Sequence, residues 1–263
     1  MSGQGETSMI RFFPLALLGL AAGLLVAASP VVGQTLSDKQ KEEVRALVRE
    51  YLLTNPEIIQ EAMNELERKQ TEAEKTARNK ALEQLAGAVA DSPRAIVVGN
   101  PKGDVTLVEF FDYNCGYCKK AMSDLKSLMQ SDPKLRVVLR DFPVLGQDSV
   151  EASLAAVAAK NQFSGDRYWE FHQKILESRG RIGKDRVFAV AKEMGADMVR
   201  LQKDLESAET RAAVEETMRF ADALRLQGTP AFVVGKEVIF GAVGLEPLKT
   251  AVASTRKCGK AVC

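Results

Sequence analysis

Four cysteines fall as two close pairs, Cys115/Cys118 and Cys258/Cys263, and the first pair has the spacing used for thiol–disulfide exchange. Cys115-Gly116-Tyr117-Cys118 follows an apolar run, Leu107 to Phe111, and a short polar turn, and it opens an amphipathic segment. A cysteine at a helix N-terminus faces unpaired backbone N–H groups and the positive end of the helix dipole, both of which favour thiolate. Cys115 is therefore the expected exposed nucleophile, with a pKa well below the free value of ~8.5. Cys118, one turn further in, is the expected buried thiol that resolves a mixed disulfide. The same spacing can be half of a zinc site, but no second Cys-x-x-Cys or Cys/His pair supplies the other ligands. No metal is expected. The only histidine, His172, lies among aromatics beside the only tryptophan, Trp169, and both are expected in the core or at its rim.

Two further residues bear on the chemistry. Glu109 sits inside the apolar run, six residues before Cys115. If buried, its carboxyl would titrate high enough to move the proton of Cys118; the alternative is an outward-facing edge residue. Thr229-Pro230 follows a glycine and precedes a strand-like run. A cis bond there would present the Thr229 backbone to a substrate strand, but sequence does not show the isomer. Lys119 and Lys120 flank the thiols and either help the thiolate or form a solvated face. Cys258 and Cys263 are expected to form a structural tail disulfide, with a second redox pair or a soft-metal site as alternatives.

The elements that must position these groups can be traced in order. Residues 95–98 and 105–111 read as strands, 115–129 as the cysteine helix stopped by Asp132-Pro133, and 135–139 as the next strand. Strand, helix, strand implies a right-handed crossover and a parallel pair. From Ser149 to about Leu226 every periodic segment is helical. A hairpin follows, Ala231 to Val234 and Val238 to Phe240 around Gly235-Lys236, and then a last helix from Leu245 to about Ser254.

Upstream, residues 36–92 read as charged helices. Val44, Leu47, Val48, Tyr51 and Leu52 make one apolar stripe, and Ile58, Ile59, Ala62, Met63 and Leu66 another. Thr54 with Glu57 is a candidate capping box between them. The polar stretch from Glu67 to Lys80 reads as a solvated connector or stalk. The stripes either dock on the main domain or pair with copies of themselves, and Asp91-Ser92-Pro93 is the expected boundary. Residues 1–33 have the form of a secretory signal: Arg11, an uncharged run from Phe12 to Val32, and small residues near Gly33. Met9 is a candidate start, cleavage after Ala28 or Ser29 is an alternative, and so is an uncleaved anchor. No cysteine follows the run to carry a lipid. The 263 residues are 46% apolar, with 36 basic against 35 acidic side chains and a net charge of +1, so nothing points to nucleic acid.

Taken together, the signal, Val-Glu-Phe-Phe-Asp-Tyr-Asn-Cys-Gly-Tyr-Cys-Lys, a helical insertion and Gly-Thr-Pro-Ala-Phe resemble the DsbA family of disulfide oxidoreductases over residues 93–254. Tyr-Leu-Leu-Thr-Asn-Pro-Glu-Ile-Ile is similar to the leader helices of its ScsC-like branch. The resemblance implies an α/β, thioredoxin-like fold with a helical insertion at about 147–226, preceded by an N-terminal helical extension over 34–92. It implies Cys115 as nucleophile, Cys118 as resolving thiol, Glu109 as buried acid, and Thr229 and Pro230 as a cis-Pro substrate clamp beside Gly116 and Tyr117. No cofactor is implied beyond a Cys115–Cys118 disulfide. The expected partners are exported cysteine-containing proteins, a membrane redox partner and further copies of the chain through residues 34–92, in the periplasm. Gly116-Tyr117 departs from the Pro-His of strongly oxidising members and resembles the isomerase DsbC. That implies a potential between ~−120 and ~−270 mV and leaves oxidase and isomerase both open. A reading from another class has Cys115 and Cys118 bind Cu(I), though no methionine- or histidine-rich motif supports a dedicated copper carrier.

Overall fold

A computed structural model describes residues 36–263; the expected signal segment lies outside the described residues. The described chain forms two compact units, divided between Gln60 and Glu61. In the first, α1 (Asp38–Thr54) starts with a capping box in which Ser37 and Gln40 satisfy each other's backbone N–H groups. Thr54, expected as a cap, is instead the last residue of α1, and the Asn55 N–H closes onto the Tyr51 carbonyl. None of α1 is buried, and Val44, Leu47, Val48, Tyr51 and Leu53 are exposed.

The second unit is built on a five-stranded sheet of order β1-β3-β2-β4-β5, comprising β1 (Ile96–Gly99), β2 (Val105–Phe111), β3 (Leu135–Asp141), β4 (Ala231–Val234) and β5 (Glu237–Phe240). β2 and β3 are parallel, as the strand–helix–strand order requires, and the other pairs are antiparallel. β2 is central, paired on both edges. Leu107 and Phe111 enter a core shared with α3 (Gly116–Ser131), α9 (Leu245–Cys258) and the inserted helices. Val108 and Phe110, alternating with them, enter a second core.

The insertion between β3 and β4 is wholly helical: α4 (Gln147–Ala159), α5 (Gly165–Glu177), α6 (Lys184–Glu193), α7 (Met198–Leu205) and α8 (Ala208–Ala223). α4 buries eight of its residues, and its alanines and serines allow close packing on both sides. α9 runs one turn beyond the expected end and stops at Gly259, whose φ of 75° suits glycine. Beyond it Cys258 and Cys263 are joined as a disulfide, and Ala261 between them is buried.

The helix that precedes the expected boundary at residues 92/93 contributes to the core of the second unit. α2 (Glu57–Asp91) is one 35-residue helix, and its last turns belong to the second core. Leu82 and Val89 are buried there with Val108, Phe110, Ala221 and Leu224, at roughly 1.5–3 kcal/mol for each side chain. Arg140 of β3 donates to the carbonyls of Ala88 (3.2 Å) and Val89 (2.6 Å), and Arg136 to that of Ala90 (3.0 Å). The Val89 and Ala90 carbonyls lie in the last turn, where the helix supplies no further N–H, while that of Ala88 also accepts from Ser92 N–H (3.3 Å), so two arginines from the sheet hold the end of the helix in place. The polar stretch 67–73 is exposed helix, and partial burial begins at Glu74. No helix among the described residues is long and apolar enough to cross a membrane.

Candidate active site

β2 ends at Phe111, the turn 112–114 follows, and Cys115 caps the N-terminus of α3. Its extended backbone (φ −81°, ψ 116°) lets the sulfur accept the Cys118 N–H at 3.4 Å, the geometry of an oxygen N-cap carried over to sulfur. Both thiols are free. Cys115, expected to be exposed, keeps only 6% of its surface, and Cys118 keeps 1%. One cover is the loop across from it: the Thr229–Pro230 bond is cis, and the Cys115 thiol donates to the Thr229 carbonyl at 3.2 Å. The Gly241 N–H donates to the Pro230 carbonyl at 2.8 Å and braces the same loop. Tyr117 stands out at 69% exposed, and a Cβ on Gly116 would meet nothing within 4 Å.

The electrostatics separate the two thiols. Cys115 is brought down to about 5, most by the Cys118 thiol, against burial, and further by the Thr229 hydroxyl and the backbone N–H groups of Cys118 and Tyr117. The Thr229 carbonyl works the other way, since it can accept only from the neutral thiol. Cys118 is pushed far up, by burial first, then by its bond to Cys115 and the charge of Glu109. Glu109 is 2% exposed on the central strand, on the face shared with Leu107 and Phe111 rather than at an edge. Burial, with the negative charge of Cys115, lifts its carboxyl to about 8. A proton acceptor and donor near neutrality thus lies under the thiol that titrates last.

Three polar residues of the site were not singled out from sequence. Asp112, fully buried, accepts from Asn114 N–H (2.8 Å), Ser149 hydroxyl (2.8 Å), Val144 N–H (2.9 Å) and Leu145 N–H (3.0 Å). Asn114 exchanges two bonds of 2.8 Å with the backbone of Ile182. Together they pin the turn before Cys115 to the inserted helices. An aspartate two residues before an asparagine is an Asx-turn signal that could have been read. Asp141, at the end of β3, is 2% exposed, neither carboxyl oxygen has a hydrogen-bond partner, and burial lifts it to about 8.

Other expected residues lie outside the site. Lys119 donates to the Ser178 carbonyl at 3.0 Å, so its ammonium serves the end of α5. His172 is buried beside Trp169, 3.2 Å from the Tyr113 hydroxyl, and burial takes it down to about 3. The Cys258–Cys263 disulfide sits at the far end of α3: Arg256, two residues before Cys258, pairs with Asp132, which closes α3. A 16-residue helix separates the two cysteine pairs by about 24 Å, so the fold does not bring them together.

The model of the DSBA-like thioredoxin domain matches residues 106–253. The chain belongs to this family. A second model, the copper resistance protein ScsC N-terminal domain, matches residues 40–73. A thioredoxin-like oxidoreductase from Silicibacter pomeroyi is 40% identical, with a TM-score of 0.62, over 65% of this chain and 98% of that one. ScsC of Proteus mirabilis in a transitional conformation is 27% identical, TM-score 0.63, over 84% of this chain and 99% of that one. Disulfide bond formation protein D of Bacillus subtilis is 26% identical over 66% of this chain and 84% of its own. The first curated relatives matched are sodium/proton antiporters, such as NhaA 1 of Salinispora arenicola at 28% identity over 62% of this chain, and the chain spans only 25% of that protein's length. Family membership and the five-stranded sheet with its inserted helices agree on a thioredoxin-like fold.

Proposed function

We propose that the chain is an exported enzyme that forms or isomerises disulfide bonds in other exported proteins through Cys115-Gly116-Tyr117-Cys118. The observation that carries this is the pairing of thiols at the start of α3, one at about 5 and one far above its ordinary value, opposite Thr229 and Pro230. In the oxidising direction a substrate thiolate attacks the Cys115 sulfur of a Cys115–Cys118 disulfide. Cys118 leaves and takes the proton of Glu109. A second substrate thiolate then attacks the mixed disulfide, Cys115 leaves as a stable thiolate, and the client gains one disulfide while the enzyme holds two reduced cysteines. Isomerisation starts from reduced enzyme: Cys115 attacks a client disulfide, and Glu109 accepts the Cys118 proton if resolution is needed. Thr229, Pro230, Gly116 and Tyr117 line the approach of the client strand. No cofactor is needed beyond the redox disulfide. Cys115→Ser should abolish both insulin reduction and rescue of scrambled ribonuclease; survival of either refutes the assignment.

Two finer parts belong to this reading. The run from Phe12 to Val32 directs the chain to the periplasm, where a membrane redox partner resets Cys115 and Cys118. The exposed apolar face of α1 pairs with copies of itself, which suits an isomerase holding a misfolded client between active sites. Sedimentation of the mature chain with and without residues 34–60 tests this, and a monomer in both refutes it. The match to a ScsC N-terminal domain supports a second reading, Cu(I) held by Cys115 and Cys118. Anaerobic competition against a tight Cu(I) chelator would decide it.

A further inference from the structure

Arg78 lies on α2, 37 residues before Cys115 in sequence, yet it makes two contacts on either side of the Thr229–Pro230 loop. Its Nε donates to the Leu224 carbonyl at 3.3 Å, and its guanidinium lies over the Phe240 ring, 4.7 Å from the centroid. Leu224 caps the C-terminus of α8, so its carbonyl has no partner inside the helix. From it the chain turns through Arg225 at a φ of 52° and reaches Thr229 within five residues. Phe240 is the last residue of β5, and the next residue, Gly241, donates to the Pro230 carbonyl at 2.8 Å. The two segments that Arg78 touches therefore converge on Pro230, one as its lead-in and one as its brace.

We propose that Arg78 is a positioning residue for the client-binding loop, holding the lead-in (residues 224–229) and the brace (residues 240–241) at fixed separation. The proposal rests on the reading of Thr229 and Pro230 as the surface that receives a client strand. Arginine suits both contacts at once: its N–H edge meets a carbonyl while its planar face covers a ring. β5 is an edge strand, so Phe240 is paired on one side only, opposite Ala231 of β4, and its ring is otherwise half exposed. The same α2 turns carry Leu82 and Val89 into the second core, which makes the base of this contact rigid. A loop held this way matters for an extended polypeptide, which must pair along the backbone, and little for a small dithiol, which needs only the Cys115 sulfur.

The test compares oxidised full-length wild type, Arg78→Met and Arg78→Lys with two substrates, a cysteine-containing decapeptide and dithiothreitol. Arg78→Met should raise KM for the decapeptide by roughly fivefold, the combined weight of a cation–π contact and a hydrogen bond, with kcat unchanged. Arg78→Lys keeps a donor but not the planar face and should fall between. Dithiothreitol kinetics, and the thiolate titration of Cys115 at 240 nm in the reduced proteins, should not move in either. An unchanged decapeptide KM in Arg78→Met overturns the proposal, and so does an equal loss with both substrates. A wild type that oxidises neither substrate would instead refute the functional reading beneath it.

Discussion

Replacing Cys118 by alanine isolates the largest cause of the Cys115 shift. Cys115 stands at about 5 against an ordinary 9, and the Cys118 thiol contributes most to that displacement. A hydrogen bond to a charged group is worth about 1.5–3 kcal/mol, or about 1–2 pK units. Cys118→Ala should therefore titrate between about 6 and 7, whereas Cys118→Ser keeps a donor and should stay nearer wild type. The Thr229 hydroxyl and the N–H groups of Tyr117 and Cys118 remain in both variants, so the thiolate stays below an ordinary thiol. Absorbance at 240 nm against pH is the assay to use. Alkylation rates mix thiolate fraction with nucleophilicity, which rises with pKa, so they do not report the pKa alone. A Cys118→Ala titration at or below that of wild type would refute the electrostatic account. In the intact pair, a thiolate two pH units below neutrality favours the reduced state by at most about 100-fold at pH 7, or about 60 mV toward oxidising behaviour.

Glu109 and Asp141 are acids whose folded values, about 8, lie above the unfolded range near 4. Their contribution to stability is fully present below pH ~4 and is lost as pH rises toward 8, by up to about 5 kcal/mol each. Urea midpoints of the oxidised protein, in which Cys115 does not titrate, should fall over that window, and Glu109→Gln or Asp141→Asn should flatten the decline; an unchanged slope in both variants would count against it. A chain starting at residue 61 should melt like the full one, while a chain starting at 93 should lose roughly 3–6 kcal/mol from the bared Leu82 and Val89 sites alone. Equal melting of the two truncations would overturn the placement of residues 78–91 in the core. Cys258→Ser with Cys263→Ser should cost about 2 kcal/mol, given the short loop closed, and leave insulin reduction unchanged. A drop in activity at preserved stability would reinstate a redox role for the tail.

The parts of this molecule legible in sequence are those where one residue type carries one meaning. The dithiol at a helix start, the apolar run of β2, the Gly235-Lys236 hairpin and the all-helical insertion are all present at the expected places. Where charge and burial coincide, the reading stopped short. The sequence reads β3 as ending at Leu139, yet Arg140 and Asp141 continue it and both are buried. Arg140 is held by the last carbonyls of α2, a contact between residues about 50 apart that no local pattern shows. The part that the end of α2 plays in the second core was not read either. Leu82, Leu85, Ala86, Val89 and Ala90 form an apolar helical stripe that sequence does show, but the sheet it covers is set by contacts far along the chain. Burial of Cys115 was missed because its cover comes from Thr229, 114 residues away.

These contacts also change what the dipeptide can decide. Reading Gly116-Tyr117 alone, absence of a histidine removes one stabilising partner from the thiolate. The structure holds Cys115 low through Cys118, the Thr229 hydroxyl and two backbone N–H groups, and no side chain at position 116 or 117 takes part. A thiolate stabilised that way makes the pair more oxidising, yet it is a good leaving group in oxidation and a ready nucleophile in isomerisation, so its pKa alone does not exclude either direction. Tyr117 faces outward and Gly116 leaves open space, which places the dipeptide where a client or redox partner arrives. On this reading direction is set by encounter: by which partner reads the surface at Tyr117, and by whether α1 holds several copies around one client. A Tyr117 substitution should then alter the redox state trapped in the cell while leaving the Cys115 titration in place. Movement of the titration itself would return the decision to the dipeptide.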